Sequence, residues 1–143
     1  MLRRSLFGCF FSLLLFWGCE VNTTVEVDSA IPPRFTLHGT GGIYFLRVYD
    51  MTDPASSEGE WWQRPGIWEI VPPENGRWIS QIPPVKYGVL PPGFVQKTPP
   101  EGPAPKLLEG RKYWVWTPSF GANGGGSHSF TIQDGKAVVI TGP

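Results

Sequence analysis

Phe130-Thr131-Ile132-Gln133-Asp134-Gly135-Lys136-Ala137-Val138-Val139-Ile140 reads as a β-hairpin. Two short runs rich in β-branched residues flank an Asp-Gly pair. The favoured two-residue turn needs positive φ at both central positions, and Asp and Gly tolerate that. The pattern recurs upstream, where Ile67-Trp68-Glu69-Ile70-Val71 and Arg77-Trp78-Ile79-Ser80-Gln81-Ile82 flank Asn75-Gly76. Two such signals in one chain predict an antiparallel, all-β fold.

Further strands lie on either side of these hairpins. Ile43 to Tyr49 is the longest run of strand formers, and it is apolar on both faces, as a sandwich interior requires. Phe35-Thr36-Leu37-His38 is a short strand ending at Gly39, and Tyr113-Trp114-Val115-Trp116-Thr117 is another. Val21 to Val27 alternates loosely and is a candidate first edge strand. Past residue 18 no segment combines helix caps with a 3.6-residue apolar period. Five Pro-Pro pairs (Pro32-Pro33, Pro72-Pro73, Pro83-Pro84, Pro91-Pro92, Pro99-Pro100) lack ladder donors and are expected at strand ends and edges. Polyproline recognition by a partner is the other reading of these pairs. Pro83 to Pro105 is predicted as a long ordered loop or irregular edge.

Composition agrees with many short strands and tight turns. Gly (18) and Pro (16) are abundant, and aromatics make up 14% of 143 residues. Lys+Arg and Asp+Glu stand at 12 each, so no global field attracts nucleic acid.

The first residues carry an address. Arg3 and Arg4 precede an apolar run of 12 residues from Leu6 to Trp17. That run has the length of a secretory signal's apolar region and falls short of the roughly 20 residues a spanning helix needs. Leu15-Phe16-Trp17-Gly18-Cys19 resembles the lipobox of bacterial lipoproteins, in which the Cys is acylated after cleavage just before it. Cleavage there removes Cys9 and leaves Cys19 as the only cysteine of the mature chain. The resemblance implies a membrane held through lipid on Cys19. Glu20 in the next position, rather than Asp, implies the outer membrane in a Gram-negative cell.

A second resemblance lies at Leu107-Leu108-Glu109-Gly110-Arg111-Lys112-Tyr113-Trp114-Val115. Leu107, Gly110, Tyr113 and Val115 match the spacing that leads into the penultimate strand of fibronectin type III and related immunoglobulin-like domains. In those folds the Tyr hydroxyl bonds to upstream backbone. The glycine-rich bend from Gly121 to Gly126 and the strand after it resemble the final hairpin.

Little chemistry is written in the motifs. His38 and His128 stand far apart, and neither sits at metal-ligand or triad spacing. Asp50, Asp53, Glu58 and Glu60 read as a solvated acidic loop without the EF-hand ligand order. Gly121 to Gly126 lacks the Gly-Lys-Ser/Thr ending of a phosphate loop. Neither a cofactor nor a metal is expected. The aromatics carry the one binding signal. With Tyr113 and Val115 facing the core, Trp114 and Trp116 must face the other way. Trp61 and Trp62 lie in a polar loop. These four tryptophans are the candidate surface for an envelope protein or a glycan.

The sequence thus predicts an immunoglobulin-like antiparallel β-sandwich after a cleaved N-terminal signal helix. Residues 1–18 are read as signal peptide, 19–33 as tether and 34–143 as sandwich. The expected role is that of a non-catalytic binding or structural module of the bacterial envelope. A carbohydrate- or ligand-binding module using exposed Trp, and an envelope hydrolase with a carboxylate pair in a cleft, are the alternatives.

Overall fold

The computed structural model describes residues 21–52, 63–74, 77–121 and 124–141. The segment read as a signal peptide, Cys19, Trp61, Trp62, Asn75-Gly76 and the acidic residues Asp53, Glu58 and Glu60 lie outside them. Among the described residues the strands are β1 (Thr24–Val27), β2 (Arg34–His38), β3 (Gly42–Ile43), β4 (Leu46–Asp50), β5 (Trp68–Val71), β6 (Arg77–Trp78), β7 (Val85–Lys86), β8 (Val95–Thr98), β9 (Lys112–Thr117), β10 (Ser119–Phe120), β11 (Gly126–Gln133) and β12 (Lys136–Val139). A 3-10 turn spans Ile79–Gln81. No helix among the described residues is long and apolar enough to cross a membrane.

The strands form three antiparallel sheets, ordered β12-β11-β9-β4-β5-β8, β1-β2-β7 and β10-β3-β6. The architecture is all-β and consistent with a sandwich. Strand alternation builds the core. Leu46, Val48, Trp68, Ile70, Tyr113, Val115 and Phe130 of the large sheet are all buried. Val25, Phe35, Leu37 and Val85 of the β1-β2-β7 sheet share the same cluster. Phe35 and Phe130 join the two sheets with ring centroids 5.9 Å apart, and Phe130 stacks on Tyr113 at 5.5 Å. Each such side chain contributes roughly 1.5–3 kcal/mol by leaving water. β1 approaches β11 so closely that a Cβ at Gly126 would stand 3.0 Å from Val25 Cγ2 and from the Thr24 carbonyl carbon.

The Asp134-Gly135 hairpin forms as read. Phe130 to Gln133 pair with Val139 to Lys136, and the turn residues take φ of 51° and 67°. Glu109 clamps this turn from outside, its carboxylate accepting the Asp134 N–H at 2.5 Å and the Gly135 N–H at 3.4 Å.

The second hairpin differs from expectation. β5 pairs with β4 and β8, whereas β6 pairs with β3 in another sheet. Pro72-Pro73 follows β5 directly and supplies no donors to extend its ladder. The predicted strand beyond Trp78 becomes the 3-10 turn. Ile43–Tyr49 also divides, because the chain passes from β3 to β4, and so between sheets, at Tyr44-Phe45.

The stretch 19–33, read as a tether with a possible edge strand, is folded from Val21 onward. β1 is the edge of its sheet, and it buries Val25 and Val27. The Pro-Pro pairs sit as expected. Pro32-Pro33 and Pro83-Pro84 precede β2 and β7, Pro72-Pro73 and Pro99-Pro100 follow β5 and β8, and Pro91-Pro92 lies between β7 and β8. β7 and β8 are both edge strands. The Pro-rich segment also closes over Trp68. The Trp68 indole N–H donates to Gln96 Oε1 at 3.0 Å, and Gln96 Nε2 donates to the Pro99 and Gly102 carbonyls at 2.9 Å each.

Candidate functional site: the aromatic outer face of the large sheet

The face of the large sheet turned away from the core is aromatic. Trp114 and Trp116 alternate with buried Tyr113, Val115 and Thr117 along β9 and are half-buried. Register sets Trp116 opposite Arg47 and Trp114 opposite Tyr49 on β4, and Ser127 and Ser129 opposite them on β11. The two indoles lie 6.2 Å apart and 11° from parallel. Phe45 meets Trp116 edge-on at 5.2 Å, and Tyr49 leans on Trp114 at 5.4 Å.

Arg47 holds this layer together. Its guanidinium carbon lies 4.5 Å from the Phe45 ring centroid and 5.7 Å from that of Tyr49. Its Nε donates to the Glu69 carboxylate, and its Nη1 donates to Tyr49 Oη at 3.1 Å. Burial pulls the Arg47 pKa down, but the Glu69 and Tyr49 hydrogen bonds outweigh it and hold the guanidinium charged. Burial likewise pushes the Tyr49 phenol up. The ion pair thus fixes the aromatic rings on a rigid sheet.

Beside Trp114 the face opens into a groove of about 520 Å³, lined by Met51, Lys112, Tyr113, Trp114, Ser129 and Ile140. A shallower depression of about 350 Å³ continues past Ser127 and His128. The groove therefore offers apolar walls with hydroxyls and an ammonium at the rim. That combination suits a ligand with one apolar face and one hydroxylated edge.

The structure brings Trp114 and Trp116 together, while Trp61, Trp62 and Cys19 lie outside the described residues. The sequence reading missed Phe45, Arg47, Tyr49, Glu69 and the groove lining. An Arg in the middle of a run apolar on both faces was the available signal, since such a charge needs a partner. The histidines stand apart from this face or at its margin. His38 Nε2 lies 3.1 Å from Glu26 Oε2 across an exposed strand pair. His128 lies in β11. Asp50 is engaged with Arg111 at 2.6 Å. Among the described residues no group of three or more His, Cys, Asp or Glu is placed to hold a metal.

No protein-family profile, curated protein or solved structure matches the chain.

Proposed function

We propose that this chain is an exported, lipid-anchored envelope protein whose folded part is a non-catalytic binding module. The observation that carries the binding reading is the groove beside Trp114, lined by that indole with Met51 and Ile140 and by the polar Lys112 and Ser129. A hydroxylated ring of envelope glycan has the matching chemistry, an apolar face for the indole and hydroxyls for the rim. Export and anchoring rest on the leader and on Cys19.

Within this reading the domain has the fibronectin type III arrangement. The β1-β2-β7 sheet opposite β11-β9-β4-β5 supports it. So does the Tyr113 hydroxyl, which accepts the Leu108 N–H at 2.9 Å just upstream of β9.

Two experiments test the proposal. Cosedimentation with isolated cell-wall glycan is expected for the wild type and is expected to drop at least tenfold in affinity for Trp114→Ala. Equal sedimentation of both, or none by either, defeats the glycan reading. Intact mass of membrane-extracted protein is expected to show an acylated chain starting at Cys19, and Cys19→Ser is expected to lack it.

A further inference from the structure

A second aromatic cluster lies at the end of the domain where the chain enters it. Val21 is tied twice to Thr40. Its N–H donates to Thr40 Oγ1 at 3.2 Å, and its carbonyl accepts the Thr40 N–H at 3.1 Å. Two residues on, Gly42 opens β3, which pairs with Trp78 of β6 on one side and Phe120 of β10 on the other. The Phe120 ring covers Gly42 so tightly that a Cβ there would overlap it. Tyr44 stands 5.0 Å from Phe120, and Trp78 stands 5.9 Å from it. Tyr44 is 54% exposed, Trp78 53% and Val21 53%. The connecting residues Gly39, Thr40, Gly41 and Gly121 are all uncharged.

Three clustered aromatics and a valine are costly to leave in water. Where the chain leads identifies what covers them. Cys19 is two residues upstream of Val21, and an extended chain spans at most about 3.6 Å per residue, so no more than roughly 7 Å can separate them. A lipid on Cys19 therefore brings the bilayer surface to this end of the domain. Trp and Tyr favour that surface, because their rings are apolar and their N–H and O–H groups stay hydrated.

We infer that Tyr44, Trp78 and Phe120, with Val21, seat on the bilayer surface and orient the domain on its lipid anchor. The inference rests on acylation of Cys19, and its test separates the two. Membrane-extracted protein is first weighed to establish the acyl group. It is then reconstituted in phosphatidylethanolamine–phosphatidylglycerol vesicles with and without brominated phosphatidylcholine, which quenches tryptophans at the interface. Six tryptophans remain once Trp17 leaves with the leader. Trp78 thus supplies about a sixth of the emission at equal yields, and up to that share is expected to be quenched. Trp78→Phe keeps an aromatic surface but is expected to lose the quenched share. Tyr44→Ser, at an exposed position, is expected to reduce quenching while Trp78 stays in place. An acylated protein whose quenching is the same in the wild type and in Trp78→Phe overturns the docking and leaves the anchor standing. An unacylated protein overturns both. Self-association in detergent that is lost in Trp78→Ser, without bromolipid quenching, assigns the surface to a second copy and also overturns the inference.

Discussion

Tyr113→Phe isolates one hydrogen bond at the corner that leads into β9. The ring is 2% exposed and stacks on Phe130, and a Phe at this position keeps both features. What is lost is the acceptor for the Leu108 N–H, held at 2.9 Å. A buried donor left without a partner costs about 1–3 kcal/mol. Leu108 is 46% exposed, so water reaches this segment and the lower half of that range applies. The expected loss is therefore about 1–2 kcal/mol. Urea unfolding, followed by circular dichroism and tryptophan emission, measures it. With an m-value of about 1–2 kcal/mol/M, the midpoint falls by about 0.5–2 M at unchanged slope. Tyr113→Ala also removes the ring and is expected to cost at least about 3 kcal/mol. A Tyr113→Phe midpoint indistinguishable from wild type would refute the corner as a stabilising contact. Tyr113 would then be one more apolar ring in the core.

Gly125→Ala is expected to lower stability by about 1–3 kcal/mol in the same urea experiment, because overpacking here has no flexible partner to yield. Its Cβ would overlap the Thr117 carbonyl oxygen and stand 3.0 Å from Pro118 Cα, both backbone. Asp50 controls the acid limb of stability. Burial pushes its carboxyl up, but hydrogen bonds from the Thr52 N–H at 2.9 Å and from Arg111 at 2.6 Å more than reverse this and hold it below 3.8. A carboxylate lowered in the folded state stabilises above its unfolded pKa, and that contribution is lost as pH falls through the folded value. Asp50→Asn is therefore expected to flatten the fall in melting temperature below about pH 4. Tyr87 acts at the other limb. Burial pushes its phenol well above 10.0, and it donates to the Pro105 carbonyl at 2.7 Å. Its stabilising effect is complete below the unfolded pKa and fades as pH rises past it, so Tyr87→Phe is expected to lose less stability above about pH 10 than wild type. Arg47→Met removes the charge that Glu69 needs. It is expected to cost about 3 kcal/mol or more in urea, whereas Arg47→Met/Glu69→Leu is expected to recover much of that loss.

The parts of the fold legible in the sequence are those fixed by neighbouring residues. Asp134-Gly135 dictates its own turn, because positive φ at two adjacent positions admits few residue pairs. The alternation along Lys112–Thr117 fixes which tryptophans leave the core, because the pleat allows no other outcome. Asn75-Gly76 carried the same local signal and misled. Which strand β5 pairs with is decided by β4 and β8, distant in sequence, and Pro72-Pro73 ends its ladder before any turn. The Pro-rich segment hid β7 and β8 for a related reason. Edge strands tolerate Pro and show little periodicity. The groove was the least legible feature. Met51, Lys112, Ser129 and Ile140 come from four different segments, and only the pairing of β4 with β9, of β9 with β11, and of β11 with the chain after β12 assembles them.

The two aromatic surfaces constrain one another through the strands they share. β9 carries Trp114 and Trp116 and leads through Pro118 into β10, whose Phe120 belongs to the cluster beside Val21. The chain from β3 through β4 runs the same course, with Tyr44 at the Val21 end and Tyr49 beside Trp114. A strand rises about 3.3 Å per residue, so the groove at Trp114 stands roughly 15–20 Å from Tyr44 and Phe120 along the sheet. In the proposed arrangement an anchor at Cys19 would hold the Val21 end at the bilayer. The groove would then lie above the headgroups rather than among them, open to polymer in the adjoining compartment. A lipid anchor alone would let the domain tumble and present any face. Seated as proposed, the cluster at the chain's entry would remove that freedom, and it would do so with aromatics that the core does not use.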